Sequence, residues 1–115
     1  MRYFKKGMSW MELEDILSKQ DEFRNSSKTF RGECADVVFG SMCGRMDEAE
    51  RQLLLADFDN HGITYVVWSY ATPIAWRRSD GFWRVTDRGY SQTTKVHLSK
   101  LRPAIDTINT MRLAA

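Results

Sequence analysis

The run Ile63-Thr64-Tyr65-Val66-Val67-Trp68-Ser69-Tyr70 constrains the fold more than any other part of this chain. β-Branched and aromatic residues dominate it, the profile of a strand. Both of its alternating faces are apolar, so the strand is expected to be central and covered on both sides. Its partners follow in sequence. Pro73 to Arg78 reads as a second strand, with Pro73 tolerated at its first residue. Asp80-Gly81 is a tight-turn signal, and Phe82 to Thr86 makes the returning strand.

Helical signals lie on either side of these strands. Ser9-Trp10-Met11-Glu12 has the form of a capping box, and Leu13, Ile16 and Leu17 recur at helical spacing, which predicts a helix from about Trp10 to Gln20. Asn25-Ser26-Ser27-Lys28 is turn chemistry, followed by an extended stretch at Thr29-Phe30-Arg31. Glycines punctuate residues 32–46, where irregular structure is expected despite Val37-Val38-Phe39. Asp47-Glu48-Ala49-Glu50 gives a cap and an acidic first turn for a second helix. Leu53, Leu54 and Phe58 supply its apolar face, and Gly62 suits a left-handed end. After Tyr90, Ser91 or Thr93 offers an N-cap for a helix carrying Val96, Leu98 and Leu101. Pro103 either interrupts that helix or opens a last one with Ile105, Ile108 and Met111.

The expected architecture is therefore one α+β domain over residues 1–115. A small antiparallel sheet, the central strand plus the hairpin, packs with helices from the N-terminal half and the C-terminus. A chain of 115 residues that is 43% hydrophobic and 28% charged can bury a core of that kind. The net charge of +2 hides a split. Residues 1–63 carry nine Lys/Arg against twelve Asp/Glu, and residues 64–115 eight against three, or −3 and +5. The mainly helical half, 1–62, is acidic, whereas the half with the hairpin and C-terminal helices, 63–115, is basic. A basic half suggests phosphate or an acidic protein surface as partner, although the two halves could equally attract each other.

Met1-Arg2-Tyr3-Phe4-Lys5-Lys6 has charge where a signal peptide needs an apolar stretch, and no run approaches the roughly 18 apolar residues that span a bilayer. A cytoplasmic protein without membrane contact is expected, with Cys34 and Cys43 as thiols. Metal and cofactor are not expected. Cys34, Cys43, His61 and His97 are spaced nine, eighteen and thirty-six residues apart, whereas zinc sites use close pairs. No glycine-rich phosphate loop or nucleophile elbow is present, so catalysis is not expected either.

Two stretches suggest binding. If a helix begins near Ser91, its free amides with Thr93, Thr94 and Lys95 could hold a phosphate; alternatively the hydroxyls only cap the helix, with His97 bonded one turn later. In the hairpin, a two-residue Asp80-Gly81 loop sets Ser79 opposite Phe82, Arg78 opposite Trp83, Arg77 opposite Arg84 and Trp76 opposite Val85. That register gathers Ile74, Trp76, Trp83 and Val85 on one face, whereas a slip by one residue pairs Trp76 with Arg84. Arg77 and Arg84 would then face each other, a repulsion that an external anion or an internal carboxylate such as Glu33 or Asp36 would relieve. Arg78 could lie over the Trp83 ring.

Ser69-Tyr70-Ala71-Thr72-Pro73-Ile74-Ala75, the Gly81-Phe82-Trp83 hairpin and Tyr90-Ser91-Gln92-Thr93-Thr94-Lys95-Val96-His97 resemble an uncharacterised family of small phage and plasmid proteins. The resemblance is good over residues 63–97, weaker over Phe23-Arg24-Asn25 and Thr29 to Glu33, and absent from the N-terminal helix and the C-terminal tail. It implies a mobile-element origin and no known activity. The expectation is a non-enzymatic phage or mobile-element accessory protein of the host cell cytoplasm, binding nucleic acid or a nucleoprotein complex through a basic face. Arg77, Arg84, Arg88, Lys95 and Lys100 would meet phosphates, Tyr90 would stack, and Thr93, Thr94 and His97 would complete the surface. The alternative is a protein-binding inhibitor or modulator of a host defence or replication complex, for which the aromatics and methionines speak.

Overall fold

The computed structural model describes the backbone of residues 2–4 and 114 and all atoms of residues 9–27, 29–34, 46–86 and 92–113. Cys43, Val37-Val38-Phe39, Asp36, Arg88, Tyr90 and Ser91 lie outside them, as does most of the stretch 32–46 expected to be irregular. The elements are β1 (Arg2–Phe4), α1 (Trp10–Ser18), β2 (Phe23–Asn25), β3 (Phe30–Cys34), α2 (Glu48–His61), β4 (Ile63–Ser69), β5 (Thr72–Arg78), β6 (Trp83–Val85) and α3 (Gln92–Ala114). The six strands form one sheet in chain order, antiparallel from β2 to β6, with β1 parallel to β2. The fold is α+β, with helices packed on the sheet.

Local chemistry sets the helix ends. The Ser9 hydroxyl accepts the Glu12 amide at 3.2 Å, the expected cap of α1. That helix stops two residues earlier than its periodicity suggests. Gln20 takes a left-handed conformation (φ 54°), and the Asp21 amide returns to the Ile16 carbonyl while that of Gln20 returns to Leu17. This is a Schellman end with glutamine in the usual glycine place. Asp47 caps α2, its carboxylate accepting the Glu50 amide at 2.8 Å, and Gly62 ends it with φ 79°. α3 is one continuous helix through Pro103, not two.

β4 is central, as its composition demands, with β3 and β5 on its flanks. α1 and α3 cover one face of the sheet, burying Leu13, Ile16, Leu17, Leu98, Leu101 and Ile105 against Tyr65, Val67, Ile74, Ala75 and Trp83. On the other face Leu54 of α2 packs with Ile63, Val66, Trp68 and Trp76. Two bulges reconcile this with the pleat. Thr64 interrupts the pairing between Ile63 and Tyr65, and Ile74 has no partner between Val67↔Ala75 and Trp68↔Pro73. Ile74 and Ala75 therefore both reach the α1/α3 core.

The hairpin register is one residue off the two-residue-loop expectation. Arg77 pairs with Trp83, Trp76 with Arg84 and Ala75 with Val85. The loop has three residues, Ser79-Asp80-Gly81: Arg78 donates to the Phe82 carbonyl at 2.8 Å, Gly81 donates back to Arg78 at 2.9 Å, and Gly81 sits at φ 95°. This is a turn closed by a left-handed glycine. Burial does not oppose the slip, because both faces of the sheet are covered. Trp76 leaves the Trp83 side and enters the α2 core instead.

Candidate functional site

The slipped register separates the two arginines expected to oppose each other. Arg84 pairs with Trp76 and lies on the α2 side of the sheet, whereas Arg77 pairs with Trp83 and lies on the α1/α3 side. The repulsion expected between them is absent from this arrangement.

Arg84 belongs to an internal network. Asp57, on the sheet-facing side of α2 and 4% exposed, accepts from Arg84 Nε at 2.6 Å, Arg84 Nη2 at 3.2 Å and the Trp76 indole at 2.8 Å. Arg78 stands 3.7 Å away and also binds Asp80. Burial pushes the Asp57 carboxyl up, but hydrogen bonds from Arg84 and Trp76 and the two guanidinium charges outweigh it, leaving the group below its ordinary value. The internal carboxylate is thus Asp57 rather than Glu33, which lies 3.9 Å from Arg31. Arg78 and Arg84 both lie over the Phe82 ring, at 4.8 and 5.5 Å, so the cation–π partner of Arg78 is Phe82 and not Trp83.

The two sequence stretches around Ser69 and His97 meet in space. The Ser69 hydroxyl hydrogen-bonds Thr94 Oγ1 and His97 Nδ1, each at 2.9 Å, and His97 stacks on Phe30 with centroids 4.3 Å apart. Thr94 is therefore committed to β4, while Thr93 sits inside the first turn of α3 and not at its cap. Ser69 is 1% exposed and His97 7%, so this hydroxyl–imidazole pair joins the β4–β5 turn to α3 in a buried contact.

Burial, assisted by the charge of Lys100, lowers the His97 pKa to about 4 from 6.5. A histidine held neutral in the fold but protonated when unfolded opposes folding as pH drops from about 6.5 towards 4. The loss is at most about 1.4 kcal/mol per pH unit, and less near either end of that window. Urea midpoints at pH 7 and pH 5 should show this decline, and a His97→Gln variant should lack that part of it.

The basic residues divide sharply. Lys19 is paired with Asp15, Arg31 with Glu33, Arg51 with Glu48, Arg78 with Asp80 and Asp57, and Arg84 with Asp57. α3 carries four cations, Lys95, Lys100, Arg102 and Arg112, against the single acid Asp106. Among the described residues none of the four has a carboxylate partner. Arg102 donates to the Thr86 carbonyl at 3.2 Å and Arg112 to that of Asp80 at 3.0 Å. Lys95, Ser99, Arg102 and Asp106 are exposed and share one side of the helix. Arg77 likewise has only neutral acceptors, Thr64 Oγ1 at 2.9 Å and the Arg78 carbonyl at 3.4 Å.

Sequence reasoning passed over Arg102 and Arg112, which lie on the same helix as Lys95 and Lys100, and Asp57 of α2. A signal for Asp57 existed: it stands three residues after Leu54, on the apolar side of α2. Among the described residues no cluster of His, Cys, Asp and Glu could hold a metal ion, and no helix is long and apolar enough to cross a membrane. Cys34 is exposed, its thiol donating to the Gln20 carbonyl at 3.6 Å.

No curated protein and no solved structure matches the chain. A protein family described as a family of unknown function (DUF8033) matches residues 11–110, from α1 through most of α3. The chain, with its two-sided sheet and basic last helix, belongs to that family.

Proposed function

We propose that the chain is a non-enzymatic accessory protein of a phage or other mobile element. It acts in the host cytoplasm by binding nucleic acid, or a nucleoprotein complex, through the outer side of α3. The observation that carries this reading is a contrast in pairing among the described residues: outside α3 five cations have carboxylate partners and Arg77 does not, whereas none of the four cations of α3 has one. Charges left unneutralised on one exposed helix favour an external polyanion. From Lys95 to Arg102, exposed on one side, the helix rises about 10 Å, comparable with three base-pair steps of duplex. The burial of the Ser69–His97 pair, with the hydroxyl bonded to Thr94 and the imidazole stacked on Phe30, supports a structural role for it.

The test is retardation of duplex and single-stranded DNA and RNA at several salt concentrations. Contacts from Lys95, Lys100 and Arg102 predict a slope of log Kobs against log salt near about −3 on duplex DNA. Lys95→Ala with Arg102→Ala should weaken binding on all sequences and reduce that slope by about 2, in a protein that still melts cooperatively despite losing the Arg102 bond to the Thr86 carbonyl. Retardation absent at low salt, or indifferent to salt, would sink the reading. The second reading, a modulator of a host protein complex, is favoured by Met111 and Leu113, which end α3 at 62% and 79% exposure. Salt-insensitive capture of one host protein, lost in a Met111→Asp variant, would decide for it.

A further inference from the structure

Between the end of α1, the β5–β6 hairpin and the last turns of α3 lies an open cavity of about 340 Å³. Leu17, Trp83 and Ile108 give it apolar walls, and Arg77 and Arg112 bring two guanidinium groups to it. The two meet over Gly81. A side chain there would stand 3.0 Å from Arg112 Nε and 3.7 Å from Arg77 Nη2, and the glycine's φ of 95° excludes one in any case.

Each arginine is fastened by one edge and open along another. Arg112 gives Nε and Nη2 to the Asp80 carbonyl, leaving Nη1. Arg77 gives Nη1 to Thr64 and Arg78, leaving Nη2 and Nε. Neither has a carboxylate partner among the described residues. Two neighbouring cations held by neutral acceptors, with donors to spare, form a site for an oxyanion. The apolar walls call for more than a bare ion, and the volume, at the lower end for ligand sites, calls for a compact molecule.

We infer that this cavity binds a small organic anion, its carboxylate or phosphate monoester lying between Arg77 and Arg112 and its apolar body against Leu17, Trp83 and Ile108. The site stands apart from the outer side of α3, which is tested through Lys95 and Arg102, so either can fail alone.

The experiment is titration of the full chain, isotopically labelled, with benzoate, phenyl phosphate and benzyl alcohol, followed by amide and indole NMR shifts. Saturable shifts at Gly81, Trp83 and Ile108 are expected with at least one anion and not with the alcohol. Whichever anion binds more tightly identifies the head group. Arg77→Gln and Arg112→Gln should each weaken that anion at least about tenfold, the loss of one charged hydrogen-bonding partner. Arg77→Lys, which keeps charge but not the planar fork, should fall between wild type and Arg77→Gln. Absence of saturable shifts with both anions would overturn the inference. So would equal binding of the alcohol, or unchanged affinity in a folded Arg77→Gln/Arg112→Gln double variant.

Discussion

Asp57→Ala is expected to destabilise the protein by about 2–4 kcal/mol, a large share of a typical total of about 5–15. The change strands two side chains at once. The Trp76 indole loses its acceptor in the interior and Arg84 the carboxylate that neutralises it, while Arg78 keeps Asp80. The lower part of the range for breaking a buried ion pair applies, because both guanidinium groups reach solvent. Arg84→Glu should also lower the melting point, since it sets a second carboxylate against the first. Had Arg84 faced an unrelieved Arg77, that substitution would have been neutral or mildly stabilising. Melting curves for the two variants decide the matter: a wild-type midpoint in both would mean that the Asp57 network does not hold the hairpin to α2.

Val67→Asp should abolish folding. Val67 lies in the middle strand between Gly32 and Ala75, is fully buried and touches the α1/α3 core. An unpaired carboxylate buried there costs several kcal/mol. Val67→Ala, which removes bulk without adding charge, should remain folded with a loss of about 2 kcal/mol. Far-ultraviolet circular dichroism on heating separates them. A cooperative melt for Val67→Asp would contradict the central position of β4.

These two positions differ in how far sequence discloses them. β4 announces itself because its signal is local: a run of β-branched and aromatic residues needs no partner to be recognised. The ends of α2 are equally plain, since a capping aspartate and a closing glycine act within four residues. The hairpin register is different. Burial normally selects one register, but here a one-residue slip moves Trp76 from one apolar layer to another, so the pattern is silent. Loop geometry decides it, through Asp80 accepting the Phe82 amide at 3.2 Å and Gly81 turning left-handed. β2, with three residues, is too short to show alternation. Arg77 and Arg112 are brought together only by the packing of α3 beside the hairpin, which no spacing rule expresses. The Ser69–His97 contact was half legible: both flanking motifs stood out, but not that they touch.

Asn109 has a bearing on how the molecule behaves in a crowd. Its side-chain amide accepts from the Trp83 amide at 3.0 Å and donates to the Trp83 carbonyl at 2.9 Å. Both backbone groups that β6 would offer a neighbour at this residue are thereby taken. The outermost strand of a sheet is ordinarily a template on which another chain can crystallise its own backbone, the first step towards fibres and swapped dimers. Here a single carboxamide from α3 imitates one residue of a further strand and closes the edge at that position to another chain.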